Sequence, residues 1–240
     1  MSGSEFVQLS TEGSVSNLTL ARPEAGNRLS NAMALALVEA LDAASSSRVI
    51  VLRAQGPDFC LGRDMAPPAP GAGVRAADVL RDDAAPMLSM YEAFRRCRQP
   101  VVAVVAGRAW GIGLVLAALC DVTLAAETSS FCLRELDRGI PPCVAMAPLL
   151  DRLPTKMLGY LVYSAQEIGA SAALVAGIVS RLVDEGDLQA QTTAFIERLL
   201  SFPAPAVEAV KQFLATAPRG HQAQAELYGA SLLANVLGSR

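Results

Sequence analysis

The 240-residue sequence is poor in the residues that most often announce chemistry. It has one histidine, His221, and one tryptophan, Trp110, and aromatics make up 5% of it, so any core must be aliphatic. The five cysteines, Cys60, Cys97, Cys120, Cys132 and Cys143, are odd in number and widely spaced, with no CxxC pair. One histidine and scattered thiols exclude an ordinary zinc cluster and read as reduced cysteines of a cytoplasmic protein. Basic charge is not in excess either: 20 Lys+Arg against 23 Asp+Glu give a net charge of −3. Nucleic acid is therefore not expected as a partner, because it needs a basic face. The longest apolar runs are short or broken by glycine, whereas a membrane span needs about 20 apolar residues. The opening MSGSEFVQLS lacks the basic and apolar regions of a signal peptide, so the expectation is a cytoplasmic protein without membrane attachment.

What is present is a chain 52% hydrophobic and 18% charged, enough for one large core or a core with a small accessory region. Phe6–Leu9 and Val15–Leu20 alternate like hairpin strands around Glu12-Gly13. Ser30 is a candidate N-cap for a helix over Asn31–Ala44, whose apolar face carries Met33, Leu37, Val38 and Leu41. Arg48–Ala54 reads as a β-branched strand, and the Pro/Gly/Ala-rich stretch 66–74 as a mobile loop. Asp78–Arg98 has a helical pattern closed by Pro100. Val122–Ala125 and Phe131–Leu133 read as short strands, and Pro141–Leu153 as a proline-punctuated turn with a short helix. Ser171–Ala176, Asp187–Leu200, Ala204–Ala215 and Gln222–Leu237 read as helices. Strands early and helices late point to an α/β core (1–190) with a C-terminal helical region (191–240) for assembly.

Three segments carry the chemistry. Val101–Val105 is an apolar strand feeding the small-residue turn Gly111-Ile112-Gly113, which opens an apolar helix. A helix start after a glycine turn offers free N–H groups and a positive dipole end, suited to a phosphate or to an oxyanion formed from a carbonyl. The second segment is Phe59-Cys60-Leu61-Gly62-Arg63-Asp64, after a strand and turn; the third is Phe131–Pro142, FCLRELDRGIPP.

In order and spacing these segments resemble the crotonase (enoyl-CoA hydratase/isomerase) superfamily. The matching stretches are LARPEAGNRLS at 20–30, RVIVLRAQGPDFCLGRDM at 48–65, PVVAVVAGRAWGIGLVLAALCDVTLA at 100–125 and FCLRELDRGIPP at 131–142. AQEIGASAALVAGIVSRLV at 165–183 and AVEAVKQFL at 206–214 extend the resemblance over nearly the whole chain. It implies a crotonase-like spiral of ββα units, a homotrimer or dimer of trimers built by the C-terminal helices, and an acyl-CoA thioester as substrate. No separate cofactor is implied, coenzyme A being part of the substrate. By position, the backbone amides of Arg63 and Ile112 would polarise the thioester carbonyl. Both side chains are bulkier than is usual there. Arg63 is expected either to narrow the acyl pocket or to turn outward to a CoA phosphate.

Hydratases of the family place one glutamate three residues after the middle residue of the turn and another in the F-x-x-x-E segment. Here the first position is Val115 and the second is Glu135. Hydration needs one group to activate water and another to protonate carbon, and valine does neither. Moving a double bond needs one base that takes a proton and returns it elsewhere. The expectation is therefore isomerisation of 3-enoyl-CoA to 2-enoyl-CoA, with Glu135 as the single acid/base. The alternatives are hydration with Asp137, Asp83 or water as substitute, a non-catalytic acyl-CoA binder, or another thioester reaction such as dehydration or decarboxylation. Asp137 shares a face with Glu135 if the segment is extended, but pairing with Arg134 or Arg138 is the simpler reading. Arg22 and Arg28 are expected to flank the nucleotide, and Leu61 and Met65 to line the passage for adenine or pantetheine. Gly111 and Val115 are expected to border the acyl group. Asp64 reads as a turn cap, His221 as solvated, Trp110 as packed beside the turn, and Cys132 and Cys143 as packing residues without a histidine to activate them.

Overall fold

The computed structural model describes residues 5–64 and 75–216. Met65, the 66–74 stretch, His221 and the helix expected over 222–237 lie outside the described residues. The chain opens with the hairpin β1 (Val7–Glu12) and β2 (Val15–Leu20), followed by α1 (Asn31–Ala43) and β3 (Val49–Ala54). Next come α2 (Ala76–Asp78), a π-helical turn (Val79–Ala84) and α3 (Ala85–Arg96), then β4 (Val101–Val105), β5 (Arg108–Trp110) and α4 (Ile112–Leu119). β6 (Val122–Ala126) and β7 (Ser130–Cys132) lead to α5 (Cys143–Met146) and α6 (Thr155–Ser164). β8 (Ile168–Gly169), α7 (Ala170–Ala176), β9 (Arg181–Val183), α8 (Leu188–Leu200) and α9 (Ala204–Thr216) complete the described fold.

Six strands form one sheet in the order β1-β2-β3-β4-β6-β9, antiparallel only between β1 and β2. A second sheet, β5-β7-β8, stands beside it. Each crossover climbs one step, which is the spiral that the resemblance implied. The pleat divides the strands between two layers. Ile50, Leu52, Ala103 and Val105 face the main core with Met33, Leu37, Phe94 and Leu116. Val49, Val51, Val102 and Leu124 face the other side, against Leu188, Phe195 and Leu199 of α8. Burial on both faces explains why these strands read as continuous apolar runs. Because α8 packs on this sheet, a boundary at 190 would cut a helix of the core layer.

Local signals account for much of this. Ser30 caps α1 by accepting from the Met33 amide at 3.2 Å. Two stretches differ from expectation. The 155–164 helix was not expected; its glycine, Gly159, and its two tyrosines weaken the pattern, and it holds through the buried Leu158, Leu161 and Val162. Glu135–Arg138 is a single 3₁₀ turn, not an extended segment. Glu135 and Asp137 therefore do not share a face. Among the described residues, no helix is long and apolar enough to cross a membrane.

Candidate active site

The site forms where the 59–64 loop, the start of α4 and the 3₁₀ turn after β7 meet. Short backbone bonds bind the three. Trp110 donates to the Cys60 carbonyl at 2.8 Å, and Gly111 donates to the Cys132 carbonyl at 2.8 Å. Leu29 donates to the Gly62 carbonyl at 2.9 Å, and the Asp64 amide returns to the Leu29 carbonyl at 3.0 Å. Asn27 staples the preceding segment. Its side-chain nitrogen donates to the Gln55 and Asp58 carbonyls at 2.8 and 2.9 Å, and its side-chain oxygen accepts from the Arg22 amide. Asp58 in turn holds β5 through a two-pronged pair with Arg108, at 2.6 and 2.7 Å.

Two glycines set the closeness of the loops. Gly111 has φ +53°, and a Cβ there would lie 2.9 Å from Glu135 Oε1 and 3.4 Å from Gly62 Cα. The absent methyl is thus the point where both loops and the Glu135 carboxylate come together. Gly113, two residues on, lies so close to Cys60 that a Cβ would collide with its carbonyl oxygen. Among the described residues the amides of Arg63 and Ile112 have no hydrogen-bond acceptor, while their neighbours Gly111, Asp64 and Val115 do. Ile112 is the first residue of α4, so its amide is one of the free donors at the positive end of the helix.

Glu135 is half-buried. Its Oε1 faces the Gly111 turn, and its Oε2 is buried without a hydrogen-bond partner. Burial pushes its carboxyl above the ordinary glutamate range, opposed by its own backbone hydrogen bond and by Arg138. Val115 is wholly buried in the core beside the turn, with 0% exposure. Asp137 is turned away into an ion pair with Arg134 at 3.1 Å. Asp82 is exposed and paired with Arg81.

The Arg63 side chain turns inward, between α1 and α3, and not out to solvent. One nitrogen donates to Asn31 Oδ1 at 2.8 Å, and another lies 2.9 Å from Met87 Sδ. Tyr91 on α3 is buried on the same wall, and burial raises its phenol well above the usual range. Arg22 pairs with Asp64 and stacks over Phe6. Arg28 donates to the Leu61 carbonyl at 3.1 Å, and Leu61 packs against the Gly26 turn. Both arginines therefore brace the 59–64 loop, whatever else they meet. Trp110 lies between the Arg108 and Arg134 guanidinium groups, 5.0 and 5.8 Å from its ring centre. Cys60 and Cys132 are buried thiols pushed up to about 12, so neither is a nucleophile at neutral pH. Cys143 is exposed, which corrects its reading as a packing residue. Asn27, Asn31 and Tyr91 escaped the sequence reading, since a buried amide or phenol on a helix or turn leaves no periodic or spacing signal.

Fold and site define a class: an α/β spiral whose 59–64 loop and α4 start bring two free backbone amides beside a half-buried carboxylate. The chain belongs to the enoyl-CoA hydratase/isomerase family, whose model matches residues 10–236. It is 35% identical over 202 residues to the 2,3-dehydroadipyl-CoA hydratase of Escherichia coli K12, spanning 82% of this chain and 76% of that one. An enoyl-CoA hydratase from Mycobacterium smegmatis superposes with a TM-score of 0.89 at 25% identity, over 97% of this chain and 91% of that one. A Thermobifida fusca protein solved in complex with acetoacetyl-CoA superposes with a TM-score of 0.84 at 26% identity, over 98% and 96% of the two chains. The crotonase resemblance read from the motifs thus holds.

Proposed function

We propose that this acyl-CoA enzyme shifts a double bond, converting 3-enoyl-CoA to 2-enoyl-CoA, with Glu135 as its single acid/base. The observation that carries the reading is the asymmetry around the turn. Glu135 presents a buried, unpartnered carboxylate oxygen, and Val115, where the family resemblance would put a hydratase's other glutamate, is apolar and sealed in the core. The thioester oxygen would rest on the amides of Arg63 and Ile112. Glu135 takes a proton from C2, and the electrons move onto the carbonyl oxygen as a dienolate. The two donors and the α4 dipole stabilise that charge where it develops. The same carboxyl then delivers the proton to C4, so the substrate gains and loses nothing overall. The T. fusca protein holding acetoacetyl-CoA supports a CoA thioester as ligand. Tyr163 and Val175, 85% and 84% exposed, support a trimer-based assembly that covers them, which a solution mass of three or six chains checks.

A second reading, hydration, is favoured by the name of the E. coli relative. It asks Glu135 and a water molecule to do the work of two carboxylates, since Asp137 is held by Arg134. Offering 3-enoyl-CoA and 2-enoyl-CoA to the protein and to Glu135→Gln separates the readings. Isomerisation that is lost in the variant supports the proposal. Robust hydration of crotonyl-CoA overturns it. CoA binding without turnover of either substrate would mark a binder.

A further inference from the structure

We propose that Arg63 selects the acyl group: its guanidinium receives a carboxylate at the far end of a short acyl chain, so the preferred thioester is a dicarboxylic monothioester. This rests on the acyl-CoA reading above and adds the class of acyl group to it.

The Arg63 guanidinium is a cation set into the wall between α1 and α3. It has two close acceptors among the described residues, and neither is charged. Asn31 Oδ1 is a neutral amide oxygen at 2.8 Å, and Met87 Sδ is a thioether at 2.9 Å, a weak acceptor. No acidic side chain lies within ion-pair distance of it among the described residues, whereas Arg22, Arg75 and Arg81 nearby each have a carboxylate partner. The charged and titratable groups that face it are Asp83, Tyr91 and Asp64, which act on it only as fields. Asp64 is already engaged by Arg22. Tyr91 is 1% exposed and un-ionised at neutral pH, so it supplies no counter-charge. Glu135 is the proposed base and cannot serve as a standing partner.

Arginine stays protonated even when burial opposes it, so the charge persists and asks for an acceptor. Its planar fork of N–H donors fits a carboxylate with two parallel bonds. An alkyl tail packed here would strip water from the cation and return nothing. A carboxylate would replace that water with a charge-assisted pair. The same residue supplies the backbone amide proposed for the thioester oxygen. The anion is therefore one arginine side chain away from the thioester carbonyl, which fits a short chain. Substituting the side chain leaves that amide in place, so the two roles are separable.

The test is calorimetric binding of glutaryl-CoA and pentanoyl-CoA, saturated thioesters of equal chain length that differ in the terminal carboxylate. The protein should bind glutaryl-CoA about ten- to a hundredfold more tightly. Arg63→Gln should bring the two affinities together, and Arg63→Lys should keep part of the difference. Added salt should shrink the preference of the unsubstituted protein, a readout that needs no variant. Equal affinities in the unsubstituted protein, or a preference that survives in Arg63→Gln, would overturn the assignment and leave the acyl-CoA reading intact. Binding of neither thioester would overturn both.

Discussion

Glu135 sits at the site with one oxygen against the Gly111 turn and the other buried without a partner. Desolvation is the largest influence on it and favours the neutral carboxyl. A base must be ionised to act, so activity is lost as pH falls through the raised value. The acid limb of kcat/KM is therefore expected above the ordinary glutamate value of about 4.3, and a pH–rate profile checks this. A limb at or below that value would contradict the desolvated base. Gly111 supports the same geometry. Gly111→Ala places a methyl 2.9 Å from Glu135 Oε1 on a backbone with φ +53°. The expected result is a fall in kcat of about 100-fold, as for small misplacements of reacting groups. The expected loss of stability is about 1–3 kcal/mol. Steady-state kinetics and urea unfolding measure the two effects.

At the scale of the element, α4 does two jobs. Its side chains, Ile112 to Leu119, are all buried, and its first turn carries the free amides. Helix propensity alone makes Gly113→Ala stabilising by about 1 kcal/mol. The Cys60 carbonyl beside Gly113 reverses the sign. The substitution is expected to cost about 1–3 kcal/mol by overpacking and to lower activity, since it displaces the loop that bears the Arg63 amide. Thermal unfolding of the variant checks the sign. Much of this was legible in the residues. The β3 and β4 strands, the Ser30 cap and the GIG turn follow from propensity, capping and glycine placement. The short pairings β5, β8 and β9 were not legible, because two or three residues carry no period. The 3₁₀ turn at Glu135 was hidden as well, and with it the divergence of Asp137. The sequence left the direction of Arg63 open between inward and outward, since its partners Asn31 and Met87 are brought to it only by the fold.

At the scale of the molecule, the late helices are tied to the spiral by a buried ion pair. Lys211 on α9 reaches Asp121 at 2.7 and 2.9 Å and donates to the Phe94 carbonyl at 3.3 Å. Asp121 also accepts from the Val101 amide at 2.8 Å, so the pair fastens α9 to the start of β4. Lys211→Met would leave a buried carboxylate short of its counter-charge and is expected to cost about 3 kcal/mol or more. Asp121→Asn in the same chain should recover part of that loss, a coupling that a double-mutant cycle in urea measures. The central claim, one carboxylate moving one proton over an oxyanion held by two amides, also belongs to the whole molecule, because three separate chain segments must meet to make it. Chromatographic separation of the positional isomers, with mass spectrometry of each, applied to the products formed from 3-hexenoyl-CoA tests it most directly. The account predicts 2-hexenoyl-CoA of unchanged mass, with the rate falling about 10²–10⁴-fold in Glu135→Gln; a hydrated product dominating from the start, or a rate untouched by that substitution, would contradict it.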